Sequence, residues 1–152
     1  MDQSVRGLKI IVVASTGTLV ALLVALFVAG LTLDRPAVVW LALPFVVGVG
    51  DFVLVQNVGA TVRPLPATTD PQTAHRMAIS VLRSVVFLRL GLADAPAMVG
   101  LVASFATGSV VPLAIGVAFS IPLLLLFVYP SASVVDGVRQ RLEAAGTPSG
   151  LG

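Results

Sequence analysis

The chain contains no cysteine and little charge. With zero cysteines in 152 residues, disulfides and thiolate chemistry are excluded. Charged residues make up only 11% of the sequence, where a soluble domain carries about a quarter. So little charge cannot coat a surface that faces water. Lysine is nearly missing: of nine basic residues, only Lys9 is not an arginine. Histidine occurs once, as His75. With no second histidine, no cysteine and no acidic cluster, nothing has metal-ligand spacing, and no nucleophile, base and acid can be assembled. No catalytic residue, metal or cofactor is therefore expected. The net charge of +2 comes from arginines spread along the chain without a patch, so nucleic acid is not an expected partner.

What the chain has is apolar. Hydrophobic residues make up 57% of it, with a mean hydropathy of +1.06. The preference for Ala, Val, Leu and Arg points to a GC-rich bacterial genome. The length suits one unit over residues 1–152. A bilayer core about 30 Å thick needs about 20 apolar residues in a helix. Four runs qualify, at 10–31, 36–55, 85–106 and 110–129. The first follows Arg6 and Lys9 as a signal peptide would, but its apolar stretch is too long, and "LFVAG" places Phe27 where a cleavage site needs a small residue. It reads as a retained helix. The fold expected is all-α: four transmembrane helices in an antiparallel bundle.

The connections set an orientation. Arg6 and Lys9 precede the first span, Arg63 and Arg76 lie in the long connection 57–76, and Arg139 and Arg141 follow the last span. Only Arg35 lies on the other side. The excess of basic residues places both termini and the long connection in the cytoplasm of a cell with an inner (plasma) membrane. Asp70 before Pro71 has the form of a helix N-cap with proline at the first helical position. The third span is thus expected to begin as a cytoplasmic helix near residue 71. After Pro130, Ser133 and Asp136 have capping-box spacing. Val134, Val135, Val138 and Leu142 form one apolar face, and Gly146 is placed to end the helix. A short amphipathic tail helix over 133–145 follows, either lying on the membrane surface or solvated. Trp40, Tyr129 and Arg83 fall toward span ends, as interface anchors do.

One stretch breaks the apolar pattern. "FLRLGLADAP" (87–96) places Arg89, Asp94 and Pro96 inside the third span. A charge at a helix centre costs about 2.5–3.5 kcal/mol on the insertion scale, so these side chains are expected to face protein rather than lipid. Counted from Val85 at 1.5 Å per residue, Arg89 lies about 6 Å deep and Asp94 about 13 Å. Asp51, near the inner end of span two, matches Arg89 in depth, and an Asp51–Arg89 ion pair is expected. Ser15, Thr16 and Thr18 of span one fall in the same inner half and are candidates to donate hydrogen bonds to this layer. Pro96 cannot donate to the Leu92 carbonyl. Either the helix breaks there with Asp94 capping its outer half, as in transporter ion sites, or it kinks, with the Asp94 carboxyl simply protonated or hydrogen-bonded to a Ser or Thr on a neighbouring helix.

The segment "MAISVLRSVVFLRLGLADAPAMVGLVASFA" (77–106) resembles the second helix of the rotor-ring c subunit of rotary ATP synthases. That resemblance implies a proton-carrying acid at Asp94. It covers about a fifth of the chain, and the family's Arg-Gln-Pro loop is absent. As a whole the chain resembles small four-span bacterial inner-membrane proteins, a class defined by shape. The first expectation is a non-enzymatic accessory or structural subunit whose partners are the bilayer and another membrane protein or further copies of itself. The alternative is a small proton- or cation-coupled carrier, or a ring-forming subunit, using Asp94.

Overall fold

The computed structural model describes residues 2–58, 62, 64, 70–129, 132–145, 148 and 149. Among them are five α-helices and no strand. The helices are α1 (Asp2–Val28), α2 (Val38–Asn57), α3 (Pro71–Thr107), α4 (Val111–Leu123) and α5 (Ala132–Leu142). A wide π-helical turn, Leu124–Val128, continues α4, and a short 3₁₀ turn, Glu143–Ala145, follows α5. Four of these helical stretches are long and apolar enough to cross a membrane: α1, α2, α3, and α4 with its π-turn. Arg63, Pro130 and Gly146 lie outside the described residues, as does the side chain of Ser133.

Local chemistry sets the helix ends. The first apolar run extends to Leu31, but α1 stops at Val28. Gly30 adopts φ +91°, a left-handed conformation that glycine reaches without a Cβ clash. Its N–H donates to Phe27 O, and the Leu31 N–H donates to Leu26 O. That pair of bonds is a Schellman ending, sealed by Leu31 packing back on the core that holds Leu26. At the start of α3, the Asp70 carboxylate accepts from the Thr73 N–H at 3.3 Å, with Pro71 next in the chain. The cap is the one expected from the sequence. At 37 residues, α3 is about 55 Å long, well beyond the 30 Å or so of a bilayer core.

The tightest packing joins α3 to α4. Gly116 lies so close to the Pro96 carbonyl that no Cβ could fit, and a Cβ on Gly100 would come within 2.5 Å of the Pro112 carbonyl. These pairings, 96 with 116 and 100 with 112, run in opposite directions, so the two helices are antiparallel. Small residues allow the backbones this approach. On α2, Gly48 admits the Phe119 ring of α4. Phe45–Phe119 and Phe52–Phe127 stack edge-on with centroids 5.4 and 5.6 Å apart, in an order that makes α2 and α4 parallel. The buried stripe of α2 is Pro44, Gly48, Asp51 and Val55.

Helix α1 joins this core along one narrow stripe. Its inward stripe is Leu8, Val12, Leu19 and Leu26, while Ile10, Val13, Val20, Val24 and Phe27 are exposed. Only 17% of its apolar window is buried, against 44% for α4. The turn after α1 is nonetheless tied to the turn after α3. Thr32 donates to Gly108 O, and Val110 donates to Thr32 O, each at 3.0 Å. Ser109 fastens the same corner by donating to Asp34 O at 2.6 Å and accepting from the Val111 N–H at 3.2 Å. On the tail helix α5, Val135, Val138 and Leu142 are buried, and the helix touches α3.

Candidate functional site

Pro96 does not break α3. The helix is continuous from Pro71 to Thr107, so Asp94 is not a cap, and the broken-helix expectation is corrected. Beside Pro96, the Ala97 N–H donates to the Ser120 hydroxyl at 3.2 Å, while Gly116 lets the α4 backbone press against the same turn. One turn of α4 thus supports the helix where proline removes a donor. Near the α3–α4 turn, Ser104 plays a matching part by accepting from the Leu113 N–H at 3.0 Å, one of the four N–H groups that a helix start leaves unpaired.

Asp94 is half-buried and faces α1. The Ser15 hydroxyl lies 3.2 Å from Oδ1 and 3.0 Å from Oδ2. This bond crosses between α1 and α3 and ties the loosely packed helix to the rest. Thr16 and Thr18 do not join it. Their hydroxyls donate to Val12 O and Ala14 O of their own helix, each at 2.9 Å, the back-bonding that satisfies a hydroxyl within its own turn. Of the three α1 hydroxyls expected in the polar layer, only Ser15 reaches another helix.

The Asp51–Arg89 ion pair does not form. The ion pair among the described residues joins Arg139 of α5 to Glu143 in the turn that follows it. Arg89 instead donates from Nη1 to Phe127 O at 3.1 Å. That carbonyl belongs to the last turn of the fourth span, where backbone oxygens have no partner within the helix, and it competes successfully for the guanidinium. Oδ2 of Asp51 is buried with no hydrogen-bond partner, and so is Nε of Arg89.

The interface residues are dispersed. Trp40 is half-buried at the start of α2 and lines an apolar groove with Leu43, Met98, Val99, Val102 and Ala103. Arg83 is exposed on α3. Tyr129 lies at the far end of the fourth span, under the Lys9 ammonium at 5.6 Å from the ring centroid. Sequence reasoning missed Ser104, Ser120 and the Phe127 carbonyl. The serines looked like ordinary members of apolar runs, and a backbone acceptor leaves no mark in sequence. Among the described residues no three His, Asp or Glu side chains gather as metal ligands would. No family model, curated protein or solved structure matches the chain.

Proposed function

We propose that the chain is a non-enzymatic, multi-pass integral membrane protein that serves as an accessory or structural subunit. In this reading α1 to α4 pack as an antiparallel bundle in a bacterial inner membrane, with both termini cytoplasmic. Arg6, Lys9, Arg76, Arg139 and Arg141 at one end, against Arg35 at the other, support the orientation. The length of α3 supports an extension of that helix beyond the hydrocarbon. The observation that carries the functional reading is how the polar groups of the spans are used. Ser15 holds Asp94, Ser120 holds the Ala97 N–H, Ser104 holds the Leu113 N–H, and Arg89 holds the Phe127 carbonyl. Each joins one helix to another. The weakly packed α1, with its long apolar outer face, is the surface offered to a partner membrane protein or a second copy. Purification in a mild detergent tests this. A stoichiometric partner or a defined oligomer is expected, and a chain that always purifies as a lone monomer would count against the reading.

The alternative, a proton- or cation-coupled carrier or ring-forming subunit, has one observation in its favour. Asp94 is a carboxyl deep in a span, in contact with the helix that is least firmly packed. Proton flux into proteoliposomes separates the two readings. The structural reading expects wild type and Asp94→Asn to leak equally. Flux present in wild type and lost in Asp94→Asn would replace it with the carrier.

A further inference from the structure

Three cations from three helices lie toward one end of the molecule. Arg89 of α3 reaches the Phe127 carbonyl. Lys9 of α1 lies over Tyr129, two residues further along the same strand of chain. Arg141 lies on α5, which packs against α3, the helix that carries Arg89. Among the described residues, no carboxylate lies within ion-pair distance of any of the three. Glu143, in the turn after α5, binds Arg139 at 3.3 Å, and Asp136 of α5 makes no ion pair with any of the three. Asp51 makes no ion pair with any of the three. Arg89 keeps a buried Nε with nothing to donate to. Like charges gathered without a counter-ion repel, and the arrangement is favourable only if an anion joins it.

The position selects the anion. Tyr129 closes the fourth span, at the level where amphipathic aromatic rings meet headgroups. A guanidinium presents donors in a planar fork that matches two phosphate oxygens, and Arg89 uses only part of its fork on Phe127. Basic side chains set between helices at the boundary of the hydrocarbon recognise lipid phosphates. We propose that Lys9, Arg89 and Arg141 form a phosphate site at the end of the molecule that carries both termini, and that it takes the headgroup of an anionic phospholipid. The proposal rests on the reading of the chain as membrane-spanning and adds a ligand to it.

Nanodiscs test it with the whole chain. The unfolding temperature is measured in discs of dioleoylphosphatidylcholine, in the same discs containing dioleoylphosphatidylglycerol, and in phosphatidylcholine discs with inorganic phosphate added. Native mass spectrometry reads lipid affinity in parallel. Stabilisation by phosphatidylglycerol alone is expected. The double variant Lys9→Gln/Arg141→Gln should lose about tenfold or more in affinity, the order that two cations near a membrane surface contribute. Both residues lie outside the packed core, so this variant should fold even if Arg89→Gln does not. The variant Arg6→Gln/Arg76→Gln removes the same charge from exposed positions and should keep the preference. Equal loss in both double variants would reduce the effect to general surface charge and overturn the site. Equal stability in both lipids would overturn it as well. Inorganic phosphate reproducing the full effect would keep the site and overturn the lipid as its source. A chain that fails to enter discs at all would refute the membrane-spanning reading instead.

Discussion

A hydroxyl inside an apolar helix can bond to its own backbone or to a neighbouring helix, and α1 does both within four residues. Thr16 and Thr18 turn back to carbonyls four residues earlier, while Ser15 turns outward to Asp94. The outward bond is the consequential one, because α1 has few other contacts. Interhelical hydrogen bonds in membranes average about 0.6 kcal/mol and reach about 1.7. Ser15→Ala should therefore lower stability in detergent by an amount in that range. In a double-mutant cycle with Asp94→Ala, the two losses should fall short of additive by a similar amount; strictly additive losses would show that the contact contributes nothing. Glu143 makes a second residue-scale case, outside the spans. The Ser149 N–H and hydroxyl, at 2.9 and 2.7 Å, and then Arg139, hold its carboxyl below the usual glutamate value. A depressed value means that the contact contributes stability above the unfolded value near 4.5 and loses it as pH falls through the lower folded value. In an NMR titration, the Glu143 carboxyl should inflect below pH 4.5, and the Ser149 amide resonance should move with it. Inflection at or above the ordinary glutamate value would refute the bond.

At the scale of elements, the α3–α4 pair depends on glycines rather than on large side chains. A methyl group on Gly116 would run into the Pro96 carbonyl and the Ala97 backbone, neither of which can rotate away. Gly116→Ala should therefore destabilise by about 1–3 kcal/mol, as overpacking usually does, although alanine is the better helix former by about 1 kcal/mol. Gly50→Ala supplies the contrast, because nothing lies within 4 Å of the added Cβ. It should be neutral or mildly stabilising. Thermal melting in detergent distinguishes them, and equal effects from the two substitutions would mean that the close crossing does not exist in solution. The same crossing meets α3 at Pro96. Ser120 and Gly116 of α4 sit at the proline turn, so the second helix supports the first where its own ladder is interrupted.

For the molecule as a whole, the open question is orientation. The basic residues near Lys9 and Arg141 gather at one end, and the turn holding Leu33 lies at the other. If the basic end is cytoplasmic, Thr68→Cys and Thr147→Cys should resist a membrane-impermeant thiol reagent in intact cells, and Leu33→Cys should react. The chain has no native cysteine to interfere. Labelling at 68 and 147 with protection at 33 would invert the topology.

Hydropathy, length and end signals fixed the elements. The four apolar runs, the Asp70 cap and the apolar face of the tail helix are one-dimensional features, because a helix satisfies its own backbone and needs only composition and caps to be recognised. The first span ran three residues too long on paper because Gly30 sits inside the apolar run and was not weighed as a helix stop. Which side chains meet was decided by the tertiary structure alone. Depth along a helix follows from residue count, but the direction a side chain faces depends on how each helix is rotated against its neighbours. Asp51 and Arg89 match in depth by residue count and still do not pair: Oδ2 of Asp51 has no partner, and Arg89 bonds the Phe127 carbonyl. Ser15 and Asp94, 79 positions apart in sequence, met because α1 lies against α3 with its Leu8, Val12, Leu19 and Leu26 stripe turned inward. Rotation of this kind is set by the summed packing of every side chain at the crossing, including the glycines that let α3 and α4 touch, and no local stretch of sequence contains that sum.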